Sequence, residues 1–267
     1  YNLNKDKLKI DPFPYLIEEN FLDIDFFNKL NDNFPDEIFE NFDNEEKRTN
    51  ININHPVLKK FINNNKNLKN FKNLMIDKEF IESIISILKP SFKKFDLDIN
   101  LENYHSYLSH NYEKINMTNY EMIKHSLITR YFKIKNFILK ILNIPSLRLD
   151  IQLARSKSGY NLAPHTDQRS KIIVILFYLN DMVDEKGNDI SNLNLFKNKS
   201  DNPKDWIRHP NLKDVEKFKS LKIRKNKFLL MLNSKNSYHG VEEFNSQNFR
   251  KFIYLSLSVS NLENIWS

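Results

Sequence analysis

Through the first half of the chain, apolar residues recur at the three- and four-residue intervals of amphipathic helices. Asp23 can cap a helix over residues 24–33, which puts Phe26, Phe27 and Leu30 on one face and ends at Pro35. Behind Asp77, the residues Phe80, Ile81, Ile84, Ile85 and Leu88 keep a 3.6-residue period until Pro90 stops it. Thr118 and Glu121 have the spacing of a capping box ahead of Met122, Ile123, Leu127, Tyr131 and Phe132. Asn- and Lys-rich stretches between these segments, such as 63–67, read as surface loops. After Pro145 the period shortens to two. Residues 147–153 and 252–259 alternate, 171–179 are rich in Ile and Val, and 228–232 are apolar. Polar turns separate these runs, as in an antiparallel barrel or jelly roll. Residues 197–222, with Trp206 and Pro210, read as an insertion or long loop. No repeat or linker interrupts the chain. The pattern predicts one α+β domain over 1–267, with a helical buttressing part at about 1–146 and a β core at about 147–260.

Composition narrows the chemistry. Apolar residues make up 40% of the chain and aromatics 13%, enough for a sizeable core. Cysteine is absent, which excludes disulfides, zinc–thiolate sites, iron–sulfur clusters and thiol nucleophiles. The only glycines are Gly159, Gly187 and Gly240, too few and too scattered for a glycine-rich phosphate loop. Seven histidines, the carboxylates and the hydroxyls remain. Lys and Arg exceed Asp and Glu by 41 to 34, giving +7, a balance that could serve a nucleic acid or an anionic membrane. The charges are interleaved, however, and Lys, Asn, Ile and Phe abound while alanine stands only at 154 and 163. That is the mark of AT-rich coding. No apolar run reaches the ~18 residues of a membrane span, and no leader pattern opens the chain at Tyr1. The expectation is a soluble cytoplasmic protein without a membrane partner.

The chemistry concentrates in the β half. On a strand, residues two apart share a face, so His165 and Asp167 can offer a nitrogen and an oxygen to one point. His239, before Gly240 and Val241, supplies a second imidazole from another predicted strand. Two histidines and a carboxylate make the facial triad of non-haem Fe(II). Arg250 lies eleven residues beyond His239 and shares a face with Phe252, Tyr254 and Ser256. An inward guanidinium needs an anion, and a cosubstrate carboxylate would supply one. Lys251 takes its place if the register slips by one. His55, His105, His110, His125 and His209 have no paired ligands and read as structural or exposed.

His165-x-Asp167, His239 and Arg250, in that order, resemble the Fe(II)/2-oxoglutarate-dependent dioxygenases. Ser158-Gly159-Tyr160 before the motif, Ile175–Asn180 after it and Lys225–Met231 before the second histidine fit that family. Pro12–Tyr15 with Phe21-Leu22-Asp23 is similar to the start of its prolyl-4-hydroxylase-like branch. The resemblance covers about residues 148–259. It implies a double-stranded β-helix binding Fe(II) through His165, Asp167 and His239. Arg250 would pair with the far carboxylate of 2-oxoglutarate, Tyr178 would bond to that carboxylate, and Arg155 would approach cosubstrate or substrate. It also implies O2 as co-reactant and ascorbate as a reductant. Where that branch has Gly-Gly-x-Leu, this chain has Gly187-Asn188-Asp189-Ile190. Family halogenases lack the carboxylate, so Asp167 argues for hydroxylation.

The leading expectation is therefore a hydroxylase that converts 2-oxoglutarate to succinate and CO2 while oxidising a peptidyl (prolyl-like) or free amino acid. The same chemistry on nucleic acid or another small molecule, and a non-catalytic β-helix module, are the alternatives. The presence of His165, Asp167, His239 and Arg250 together speaks against the last.

Overall fold

The computed structural model describes residues 1–42, 46–200 and 205–266. In chain order its strands are β1 Tyr15–Glu18, β2 Arg48–Asn52, β3 His105–Leu108, β4 Ser146–Ser156, β5 Leu162–His165 and β6 Lys171–Tyr178, then β7 Asn192–Asn198, β8 Val215–Lys222, β9 Phe228–Leu232, β10 Tyr238–Val241 and β11 Arg250–Val259. The helices are α1 Ile24–Asn31, α2 Asp36–Glu40, α3 Pro56–Asn64, α4 Lys66–Ile76, α5 Lys78–Leu88 and α6 Asn119–Ile141. A large sheet runs β1-β9-β6-β11-β4-β2, and β3 lies parallel to β4 beyond the end of β2. A smaller sheet runs β5-β10-β7-β8. These two sheets form the double-stranded β-helix that the family resemblance implies, one of the antiparallel forms, barrel or jelly roll, that the C-terminal pattern allows.

The large sheet has two chemically different faces because side chains alternate along each strand. Phe177, Ile253 and Leu153 share one rung, with Ile175, Leu255 and Ile151 on another. This apolar face points outward and is covered by helices. Phe177 stacks on Phe71 of α4 at 5.7 Å between ring centroids and meets Phe27 of α1 edge-on at 6.0 Å. Phe21 stacks on Phe228 of β9 at 4.1 Å. Residues from both halves of the chain thus form one buried apolar cluster. The opposite face carries Arg250, Tyr254 and Ser256 of β11 beside Ser156, Gln152 and Asp150 of β4. That polar face lines the interior of the jelly roll.

The expected helix caps are present. The Asp23 carboxylate accepts the N–H groups of Asp25 and Phe26, Asp77 caps α5, and Thr118 and Glu121 close a reciprocal capping box on α6. Two expectations need correction. Residues 63–67 are not a loop: α3 runs into α4 with only Asn65 between them, and its side chain caps α4 by accepting the Leu68 N–H at 3.0 Å. Nor is 197–222 a loop throughout, since β8 pairs with β7 along its whole length. β8 is an edge strand with Glu and Lys facing solvent, which hides its alternation. Positions 201–204 of that segment lie outside the described residues. β2 escaped the pattern for a similar reason, since Arg-Thr-Asn-Ile-Asn is polar at most positions, whereas β1 begins at Tyr15, where the resemblance implied an N-terminal strand.

Phe177 joins sheet and helices, so Phe177→Ala should cost about 3–5 kcal/mol in urea unfolding. Tyr131→Ala on the exposed side of α6 should stay within roughly 0.5 kcal/mol.

Candidate metal and cosubstrate site

β5 ends on His165, which sits directly opposite His239 of β10. Their ring centroids are 4.4 Å apart. The pairing depends on Gly240: a Cβ there would lie 2.6 Å from the Leu162 carbonyl oxygen, so only glycine lets β10 approach β5 this closely. Each ring is oriented by its own backbone. His165 Nδ1 lies 3.1 Å from the Ala163 carbonyl and His239 Nδ1 3.2 Å from that of Ser237. A proton donated from each Nδ1 leaves both Nε2 lone pairs free as ligands. Asp167 follows on the turn after β5, with Oδ2 3.7 Å from His239 Nε2.

The protonation states suit a cation. Burial and the neighbouring His239 push His165 down to about 3, against the helping charge of Asp167. Burial also pushes His239 down. For Asp167, burial raises the carboxyl, but the Lys171 ammonium and His239 outweigh it and hold the group at about 2. Two neutral imidazoles and one carboxylate therefore coexist at neutral pH. Among the described residues, no three His, Asp or Glu side chains stand as a closed metal-binding group. The positive charge against Asp167 Oδ1 is the Lys171 Nζ at 2.8 Å, which also donates to the Tyr254 hydroxyl at 2.6 Å. The donor set fits Fe(II): two imidazole nitrogens and one oxygen on one side of a cavity, without thiolate.

That cavity, of about 420 Å³, extends from the histidines to Tyr178 and Arg250. Arg250 is 2% exposed, its guanidinium held 5.2 Å from the Tyr160 ring centroid and 5.1 Å from that of Phe252. Its Nε and Nη1 have no hydrogen-bond partner among the described residues. Burial lowers its pKa, with no carboxylate among the opposing charges. A buried cation with unused donors facing a cavity is the complement of a small carboxylate. Tyr178 lies on the Phe252 rung, its phenol pushed up to about 12 by burial, and so stays a neutral donor.

The structure brings together His165, Asp167, His239, Arg250 and Tyr178, and it corrects the expectation for Arg155. Ser156, not Arg155, is paired with Arg250, so Arg155 projects from the opposite face of the sheet. There its guanidinium stacks over Phe249 at 4.1 Å and reaches Asp36 Oδ1 at 3.5 Å. Lys251 shares that outer face, 2.5 Å from Asp36 Oδ2, which leaves Arg250 as the inward cation. Sequence reasoning missed Lys171, Asn233 and Arg48. A lysine opening an otherwise apolar strand was the available signal for Lys171. Asn233 is buried, accepts the Asp167 N–H at 3.2 Å, and donates to the Gln168 and Lys171 carbonyls, fixing the turn that carries the carboxylate. Arg48 lines the cavity from β2, opposite the other side of Ser156. His209, expected to be structural or exposed, lines the cavity too and stacks on His165 at 6.1 Å.

Residues 151–255 match the family model described as the 2OG-Fe(II) oxygenase superfamily. No curated protein matches the chain. Among solved structures, a prolyl hydroxylase from Trichoplax adhaerens, in complex with a hypoxia inducible factor peptide fragment, is 13% identical with a TM-score of 0.47, covering 92% of this chain and 83% of its own. A Pseudomonas putida prolyl-4-hydroxylase is 9% identical with a TM-score of 0.45, covering 92% of each chain. HygX from Streptomyces hygroscopicus, with nickel and 2-oxoglutarate bound, is 10% identical with a TM-score of 0.46, covering 94% and 84%.

The buried histidines set a pH dependence. Unfolded, they protonate near pH 6.5; folded, burial lowers both, His165 to about 3. The unfolded chain then binds more protons, so metal-free stability should fall as pH drops from 6.5 towards 3, and Asp167 adds to the loss only below about 4. Thermal midpoints across that window should decline for the wild type and decline less for His165→Gln. A flat wild-type profile would show that the rings are not held neutral.

Proposed function

We propose that this chain, whose residues 151–255 match the family model of the 2OG-Fe(II) oxygenase superfamily, is such an oxygenase and hydroxylates a peptidyl (prolyl-like) or free amino acid, with His165, Asp167 and His239 as iron ligands and Arg250 as the cosubstrate clamp. The observation that carries the site assignment is that Arg250 Nε and Nη1, buried in the cavity shared by the two imidazoles and Asp167, have no hydrogen-bond partner among the described residues. The amino-acid substrate is supported by the sequence resemblance to the prolyl-hydroxylase-like branch.

Bound at these residues, Fe(II) would supply the oxidising chemistry with dioxygen and 2-oxoglutarate, which leaves as succinate and CO2 while the substrate gains an oxygen. The protein's part is to bind and orient. His165 and His239 offer Nε2 because the Ala163 and Ser237 carbonyls hold each Nδ1 proton. Lys171 and Tyr254 fix one carboxylate oxygen of Asp167 and leave Oδ2 facing His239. Arg250 presents Nε and Nη1 to the far carboxylate of 2-oxoglutarate, and the neutral Tyr178 hydroxyl adds a donor beside it. Leu176, Leu193 and Val241 give the cavity apolar walls that limit water at the reacting atoms. Arg48, Asn50 and Gln152 form a polar end suited to a substrate's backbone or carboxylate groups.

Succinate should form from 2-oxoglutarate only with Fe(II) present, and His239→Ala should abolish it. Losing a buried charge partner costs about 2–5 kcal/mol, so Arg250→Ala should raise the KM for 2-oxoglutarate roughly a hundredfold while sparing Mn(II) binding. Lys251→Ala should leave that KM unchanged; the reverse ranking would assign the clamp to Lys251. Mass spectrometry of candidate peptides and amino acids for one added oxygen tests the substrate.

A further inference from the structure

α6 is apolar on both of its long sides. Its inner side is docked: Phe132 stacks on Tyr107 at 4.3 Å, Asn136 Nδ2 donates to the Tyr107 hydroxyl at 3.2 Å, and His125 Nε2 lies 2.7 Å from the His110 carbonyl. Its outer side carries Tyr120, Ile123, Leu127, Tyr131, Ile134, Phe137, Ile138 and Ile141, each at least half exposed. The spacing from Tyr120 through Leu127 and Ile134 to Ile141 is seven residues each time, so the stripe stays on one side for the length of the helix. These residues supply over half of the exposed large apolar side chains among the described residues. A continuous ridge of this kind marks a contact surface.

Charge identifies the occupant. Lys124 and Lys135 border the stripe on one side and Lys133 and Lys140 on the other, with Arg130 inside it. The one acid of α6, Glu121, is engaged in the capping box. A second copy packed antiparallel along the stripe would bring Arg130 against Arg130 and add four cations to four, Lys140 being ion-paired with Glu263 at 2.9 Å, which disfavours self-pairing. A single partner helix would engage a narrow seam and leave one row of lysines unused. A flat anionic surface meets both rows and the whole ridge at once. Tyr120 and Tyr131 also suit the boundary between headgroups and acyl chains.

We propose that the outer face of α6 docks this protein onto an anionic lipid surface, the helix lying in the interface plane. No described helix is long and apolar enough to cross a membrane, and α6 needs only to lie on one.

The test is flotation of the full chain with vesicles of equal parts phosphatidylcholine and phosphatidylserine, against phosphatidylcholine alone. The wild type should float with the anionic vesicles and stay behind with the neutral ones. Leu127→Glu with Ile134→Glu should abolish flotation while leaving the thermal midpoint unchanged, because both side chains face solvent. At about 1 kcal/mol per cation near the surface, Lys124→Ser with Lys133→Ser should weaken partitioning by about 30-fold. A wild type that remains with the soluble fraction overturns the proposal. So does a wild-type dimer in solution that the double glutamate variant makes monomeric, which would assign the face to a second copy. Equal flotation of the wild type and the double glutamate variant would place lipid contact elsewhere.

Discussion

The parity of β11 decides which side chains can take part in chemistry. This strand is paired along both edges, with β4 over ten residues and with β6 over most of its length, so its register has almost no freedom to slip. A shift of one residue would send Arg250 and Tyr254 outward and bring Lys251 and Ile253 into the cavity. It would also turn Leu255 and Leu257 away from the helices that bury them. The helices therefore hold the site in register without touching it. The same parity carries Arg155 out of the site and Ser156 into it.

The interior polar face exists because the other face does the stabilising. Arg250, Asp167, His165 and His239 are all nearly buried, and each would prefer water in the ionised form. The fold answers each cost separately. Asp167 is charged because the Lys171 ammonium and His239 outweigh its burial, and the Tyr254 hydroxyl donates to the same oxygen as Lys171. The imidazoles stay neutral and give their Nδ1 protons to backbone carbonyls. Among the described residues, Arg250 lies over the faces of Tyr160 and Phe252, with Nε and Nη1 unpartnered, a weaker compensation than a carboxylate. This difference separates a group already satisfied by the protein from one whose complement is a ligand. The apolar layer built on Phe177, Phe21 and Phe228 offsets these costs.

The jelly-roll core and the cavity residues His165, Asp167, His239 and Arg250 were legible in the sequence because strand alternation and motif spacing are local properties, although Asp167 reaches the cavity from the turn after β5 and not, as expected, as the second residue of a strand face. Arg155 was misplaced because a position ten residues before His165 specifies a distance along the chain, not a face. Lys171, Asn233 and Arg48 escaped notice because their roles depend on pairings between distant segments: Asn233 grips the turn at Asp167 from 66 positions away. The polar strands β2 and β8 were invisible for a related reason. An edge strand owes its existence to a neighbour's free backbone groups, and its own residues need not be apolar.

α6 follows the opposite logic. Its capping box and its 3.6-residue period were plain in the sequence, and both are present in the structure. The period alone could not tell which apolar residues face the body, because the helix carries two apolar sides. Phe132 found Tyr107, whereas Ile123, Leu127 and Tyr131 found solvent. An amphipathic pattern identifies a helix that must be covered, but only the tertiary structure shows whether the fold supplies all of the cover. Here it supplies one side. The large sheet needs α1 and α4 to close its apolar face, and α6 reaches only its far margin beside β3. The outer side of α6 is thus free of any duty to the core, which is why lysines can line it and why its hydrophobic residues call for an explanation outside the fold.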